Sequence, residues 1–136
     1  FCGNIIADLP PEEGASYIAT SRELGLSPIP FFAPTSTPER LQEMGTHGEG
    51  FVYCVARRGV TGKHTEIDAS LSDYLARCRH ATTLPLAVGF GISSRADVRQ
   101  LTGKADMAVI GTATIKLVDA EGPAAVGPYI RGLLQD

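Results

Sequence analysis

The sequence lacks long apolar runs and an excess of basic charge. No apolar stretch approaches the roughly 18 residues that a membrane-spanning helix needs, so we expect no membrane span. Lys and Arg number 12 against 15 Asp and Glu, and the net charge of −3 offers no basic surface to nucleic acid or anionic lipid. The remaining composition, 43% hydrophobic and 20% charged, is that of a globular protein.

Cysteine is scarce, and its spacing suggests no pairing. The sequence has an odd number of cysteines, namely Cys2, Cys54 and Cys78. They form no C-x-x-C motif and follow no secretory signal pattern. These features predict a reduced, cytoplasmic protein. The chain starts at Phe1 and runs at once into an apolar segment, so we expect it to begin within a longer fold.

Several catalytic and nucleotide-binding motifs are also absent. There is no P-loop and no G-x-S-x-G nucleophile elbow, and GFGISS at 89–94 departs from the dinucleotide fingerprint at its last position. His47, His64 and His80 have no metal-ligand spacing, so we expect no metal site. No pair of carboxylates at the predicted strand ends is placed for acid–base catalysis.

Five short apolar segments predict buried strands of a parallel sheet, because most are continuously apolar rather than alternating. They are Asn4–Ala7, Pro28–Ala33, Gly50–Ala56, Leu84–Gly89 and Ala105–Gly111. Helical patterns lie between them, so the strands should pair in parallel through right-handed crossovers. Residues 1–136 are predicted to form a single domain. A complete eight-stranded β/α barrel takes roughly 250 residues and does not fit.

Local signals mark the predicted helix ends. Gly25 suits a left-handed C-terminal cap, Thr37 an N-cap, and Ser94 with Asp97 a capping box. The last helix is predicted over Pro123–Leu134, with an interruption at 127–128.

Ligands of parallel α/β folds collect where the strands end, so the glycines there are candidate site residues. Gly89 and Gly91 follow the fourth predicted strand, and Gly111 with Thr112 follows the fifth. Backbone amides of these turns, with those of Ser93, Ser94 and the following helix starts, could hold a phosphate. The alternative is that the glycines only permit tight turns.

Three other strand-end features have two interpretations each. Tyr53 and Cys54 point to opposite faces of their strand. Either Tyr53 lines a cavity and Cys54 packs under the helices, or the reverse holds. The segment 57–62 is a closing lid or a plain surface loop. Asp8 either takes part directly in function, or it has a capping or interface role.

Read together, the strand ends resemble a known family. ADLP, PIPFFAPTSTPERL, GFVYCVARRGVTG, LAVGFGISS and AVIGTATIK follow in the order and spacing of the second half of the tryptophan synthase alpha chain. The resemblance covers nearly all of residues 4–118. It implies a partial (β/α)8 barrel, an α/β fold of about five parallel strands that correspond to barrel strands four to eight.

The resemblance also implies an activity. The family cleaves indole-3-glycerol phosphate by a retro-aldol step, without a cofactor, and passes indole to a beta chain that carries pyridoxal phosphate in an alpha2-beta2 assembly. The family's catalytic Glu and Asp lie in the first half of the barrel, which has no counterpart here. No catalytic residue is therefore assigned, and we expect the chain alone to be inactive.

By the same resemblance, Tyr53 lies in the substrate cavity, Phe90 packs near the indole ring, and Thr61 belongs to the closing loop. Asp8 and Pro10 face the beta chain. The residues implied around the phosphate are Gly62, Gly89, Gly91, Gly111 and Thr112, where Thr112 replaces the usual Ser and keeps its hydroxyl and amide.

Two other classes of function remain open. One is a non-catalytic phosphate-binding half-barrel that dimerises, since an open parallel sheet has bare edges and a bare inner face that favour self-association. The other is a different phosphate-dependent barrel enzyme, against which the R-x-G-V-T-G loop and Phe90 argue.

Overall fold

The architecture alternates short strands with helices. A computed structural model describes residues 1–7, 9–56, 69–89 and 91–135. The strands are β1 Gly3–Asn4, β2 Ser27–Pro28, β3 Phe31–Phe32, β4 Val52–Val55, β5 Leu86–Gly89 and β6 Met107–Ala108. The helices are α1 Ala15–Glu23, α2 Pro38–His47, α3 Ala69–Ala81, α4 Arg95–Gln100, α5 Thr112–Glu121 and α6 Val126–Leu134, with 3₁₀ turns at Pro11–Glu13 and Pro123–Ala125.

All strand pairs among the described residues are parallel, which confirms the predicted pairing. β3, β4, β5 and β6 form one sheet in chain order, and β1 pairs with β2. The predicted strand Pro28–Ala33 is wrong as one continuous element, because it divides into β2 and β3. Pro28 and Pro30 supply no amide to a ladder, so hydrogen bonding along this segment is intermittent.

One face of the four-stranded sheet packs against the helices. Phe32, Cys54 and Val88 lie side by side in the register and are fully buried. They join a cluster that includes Leu41 of α2. The apolar stripe of α3, at the i, i+3, i+4, i+7 spacing of one helix face, is buried in that cluster: Leu71, Tyr74, Leu75 and Cys78.

The opposite face holds the next register row and is partly bare. Phe31 and Tyr53 are register partners, and their rings stack with centroids 5.6 Å apart and planes 3° apart. Tyr53 therefore lies on the inner face, and Cys54 is buried beneath the helices on the other face. Met107 pairs with Ala87 in the same row and remains 40% exposed, so this face lacks a complete covering layer among the described residues.

The predicted caps are confirmed. The Thr37 side chain accepts a hydrogen bond from the Arg40 amide, Ser94 and Asp97 form the capping box, and Gly25 has φ 69°. The predicted interruption of the last helix is wrong, because α6 continues from Val126 to Leu134. Pro128 lies in its first turn, where no intrahelical amide bond is lost.

The part of the chain that the structure describes contains neither a membrane-spanning helix nor a metal-binding cluster. No helix there has both the length and the apolar character to cross a bilayer. In the same ranges, no group of three or more His, Cys, Asp or Glu residues is placed to hold a metal ion.

Candidate functional site

The candidate site lies at the carboxyl edge of the four-stranded sheet. Because β4, β5 and β6 are parallel neighbours, the segments that follow them leave the sheet at the same edge. Pairing continues to this edge: the Ala56 amide donates to the Gly89 carbonyl at 2.9 Å, and the Val109 amide donates to the Val88 carbonyl at 2.8 Å. The turns that begin at Gly89 and Val109 are therefore held next to each other.

Tyr53 and Gly89 meet at this edge. Tyr53 pairs with Ala87 in the register, yet its side chain reaches forward to Gly89: a Cβ built on Gly89 would lie 2.0 Å from the Tyr53 hydroxyl oxygen and 2.5 Å from Cζ. Only glycine accommodates the ring in this position. Burial raises the pKa of the Tyr53 phenol, so the hydroxyl stays protonated at neutral pH.

The turn after β5 is built around a buried carboxylate. Gly91 has φ 88°, a left-handed conformation that glycine adopts without strain. Asp97, 2% exposed, accepts the Ser93 amide at 3.0 Å and the Ser94 amide at 2.8 Å through Oδ2. The expectation that the Ser93 and Ser94 amides are free for a phosphate is therefore wrong, because the capping carboxylate already uses both.

Tyr129 supports the same turn from α6. Its hydroxyl donates to the Ser93 carbonyl at 2.8 Å, 36 residues earlier in the chain. Burial, and then the negative charge of Asp97, raise the pKa of Tyr129, so the hydroxyl remains a donor. Sequence analysis missed this residue, because no local pattern connects α6 with the turn after β5.

The second predicted half of the cradle is the start of α5. Gly111 precedes the helix, Thr112 is its first residue, and both are exposed. The first intrahelical bond runs from the Ile115 amide to the Gly111 carbonyl at 3.1 Å, so the amides of Thr112, Ala113 and Thr114 come before the helical ladder. These amides are suitable donors for an anion.

Four predicted site residues, Asp8, Thr61, Gly62 and Phe90, lie outside the described residues. Tyr53 and Gly89 are brought into contact, and Gly91, Gly111 and Thr112 follow the two adjacent strands.

Pro10 lines an apolar cavity of about 70 Å³ between α1, α2 and the segment 28–31, and Phe31, whose ring stacks on Tyr53, is part of its wall. Ile6, Ile18 and Met44 also contribute to its walls. None of the residues that line this cavity belongs to β4, β5 or β6, but the Phe31–Tyr53 stack joins it to the face that carries Tyr53.

Comparison with known proteins identifies the family. The family model described as tryptophan synthase alpha chain matches residues 2–126. The chain belongs to this family. The curated alpha chain of Desulfotalea psychrophila is 57% identical over 131 residues, covering 96% of this chain and 52% of that protein. The alpha chain of Syntrophotalea carbinolica is 48% identical over 132 residues, covering 97% and 52%.

Solved structures of the family have the same fold. The tryptophan synthase complex from Pyrococcus furiosus aligns with a TM-score of 0.82 at 29% identity, over 97% of this chain and 53% of that one. The Mycobacterium tuberculosis tryptophan synthase gives a TM-score of 0.81 at 32% identity, over 98% and 52%. The predicted family and partial barrel are confirmed, and the chain spans about half the length of the relatives it matches.

Proposed function

We propose that this chain forms the phosphate- and indole-binding part of a lyase that cleaves indole-3-glycerol phosphate to indole and glyceraldehyde 3-phosphate. The observation that carries this proposal is the Tyr53 ring packed over Gly89 at the strand-end edge, in a chain of the alpha-chain family. An aromatic wall beside glycine turns suits a ligand with a flat apolar end and an anionic end.

In this proposal the inner face and the two turns have separate roles. Tyr53, backed by the stacked Phe31 ring, forms one wall of the indole cavity, and Phe90 adds another. The backbone of Gly91, Gly111 and Thr112 binds the phosphate, with Gly89 giving the Tyr53 ring its space. Thr61 and Gly62 close over the bound substrate.

The alpha chain of this family needs no cofactor, and pyridoxal phosphate belongs to the beta chain. We propose that indole passes to such a beta chain, which Asp8 and Pro10 would face. Residues 1–136 are proposed to form one partial-barrel domain. Its cytoplasmic location remains a prediction from cysteine usage.

The proposal predicts binding of the uncleavable analogue indole-propanol phosphate to the chain. Calorimetric titration should give saturable binding that weakens by roughly 10-fold or more when the phosphate is removed, because charge-assisted hydrogen bonds to the anion are lost. The matched control ligand is indole propanol. Equal affinity for the two ligands, or no binding of either, would contradict the proposed site.

A second candidate function is a phosphate-binding half-barrel that associates with its own copies, and the partly bare inner face favours it. Light scattering at micromolar concentration should give a mass of two chains or more, because association would cover Met107. The variant Met107→Lys should shift the mass toward one chain. A single-chain mass with a hydrogen-exchange-protected core would rule out this association.

A further inference from the structure

Tyr129 connects the last helix of the chain to the turn after β5. The residue is half-buried, and its hydroxyl donates to the Ser93 carbonyl at 2.8 Å. Helix α6 begins at Val126, the residue at which the match to the family model ends, so Tyr129 lies beyond the matched part of the chain. Membership of the family therefore does not assign this contact.

The peptide between Ser93 and Ser94 is held at both of its polar ends. Tyr129 donates to its carbonyl, and the Asp97 carboxylate accepts its amide, that of Ser94, at 2.8 Å. The Ser93 amide also donates to Asp97, at 3.0 Å. Because a peptide group is planar, its carbonyl and amide turn together, and rotation of this one would break a hydrogen bond at each end.

The start of the same turn needs such a fixed point. Gly91 has φ 88°, and glycine adopts positive and negative φ about equally well, so its own backbone does not select one direction for the turn. Ile92 is 3% exposed and packs in the core, but an apolar contact does not orient a peptide. Asp97 acts from within the segment that leads into α4, whereas Tyr129 ties the turn to a separate helix, α6.

We propose that Tyr129 is a positioning residue of the candidate site: its hydrogen bond from α6 sets the direction of the turn at Gly91, and with it the backbone groups that meet the substrate's anionic end. This rests on the proposed function, which places the anion beside that turn. A tyrosine that only fastened α6 would stabilise the fold without affecting the discrimination between ligands. A positioning tyrosine affects the ligand that carries the anionic group and spares the ligand that lacks it.

The test compares Tyr129→Phe with Tyr17→Phe by calorimetry on the 136-residue chain. Both changes remove one phenol hydroxyl, and that of Tyr17 donates to the Asn4 backbone carbonyl at 3.1 Å and to its side-chain oxygen at 2.7 Å, in β1. Tyr129→Phe should bind indole-propanol phosphate about 3- to 10-fold more weakly than the unmodified chain, the effect of one hydrogen bond. Indole propanol should bind Tyr129→Phe unchanged, and Tyr17→Phe should bind both ligands as the unmodified chain does.

Thermal unfolding without ligand shows whether each variant is folded during the titration, and we expect Tyr129→Phe to be folded. Unchanged affinity of Tyr129→Phe for both ligands, while the unmodified chain binds them, would overturn the role of Tyr129 and leave the proposed function intact. Equal weakening of both ligands, or a variant that is unfolded at the temperature of the titration, would show that Tyr129 supports the fold as a whole and would also overturn its positioning role. Failure of the unmodified chain to bind indole-propanol phosphate would overturn both proposals.

Discussion

The purified 136-residue chain is expected to cleave indole-3-glycerol phosphate at least about 10⁴-fold more slowly than a whole alpha chain, since each missing acid–base group typically contributes 10²–10⁴-fold. The resemblance assigns the catalytic Glu and Asp to the half of the barrel that this chain does not cover. Release of indole, followed over hours at saturating substrate, measures the rate.

The control for this measurement is binding of indole-propanol phosphate by the same preparation. A chain that binds the analogue and does not cleave the substrate has the site and lacks the catalytic groups. Turnover close to that of a whole alpha chain would contradict this account, because it would require an acid and a base within residues 1–136.

Gly89→Ala should lower the free energy of unfolding by about 1–3 kcal/mol, the usual cost of overpacking. The added Cβ would lie 2.0 Å from the Tyr53 hydroxyl oxygen and 2.5 Å from Cζ. Tyr53 cannot move aside freely, since its ring is stacked on Phe31 at a centroid distance of 5.6 Å. Urea unfolding monitored by circular dichroism gives the difference in free energy.

A double-mutant cycle assigns that cost to the contact with Tyr53. In a Tyr53→Ala background, Gly89→Ala should cost little, since the ring that it meets has been removed. Gly111→Ala is the matched control, because a Cβ there meets nothing within 4 Å and φ is −100°. An equal cost of Gly89→Ala in both backgrounds would show that the ring does not occupy the space over Gly89.

The parts of the fold that depend on short sequence segments were predictable. Thr37 and the pair Ser94–Asp97 act within one helical turn, so their capping roles follow from spacing alone. The parallel sheet followed from continuous apolar runs separated by helical patterns. The division of Pro28–Ala33 was missed because the two short pairings involve different neighbouring strands, β1 and β4.

The residues of the candidate site could be predicted from the sequence, but several of the contacts that they make could not. Gly89 was chosen for its backbone freedom near a phosphate, whereas the structure shows that it also makes space for Tyr53, a residue 36 positions earlier. The Asp97 bond to the Ser94 amide belongs to the predicted capping box, whereas its second bond, to the Ser93 amide, became clear only from distances. The Tyr129 contact depends on how α6 packs against a turn 36 residues earlier in the chain, which spacing does not encode.

Reconstitution of the barrel tests the central claim most directly. The N-terminal half of the Desulfotalea psychrophila alpha chain, a relative 57% identical to this chain over the shared half, would be co-expressed with residues 1–136. The account predicts that the purified complex releases indole from indole-3-glycerol phosphate, while neither part does so alone. A stable complex of the two chains that binds indole-propanol phosphate and still releases no indole would contradict it.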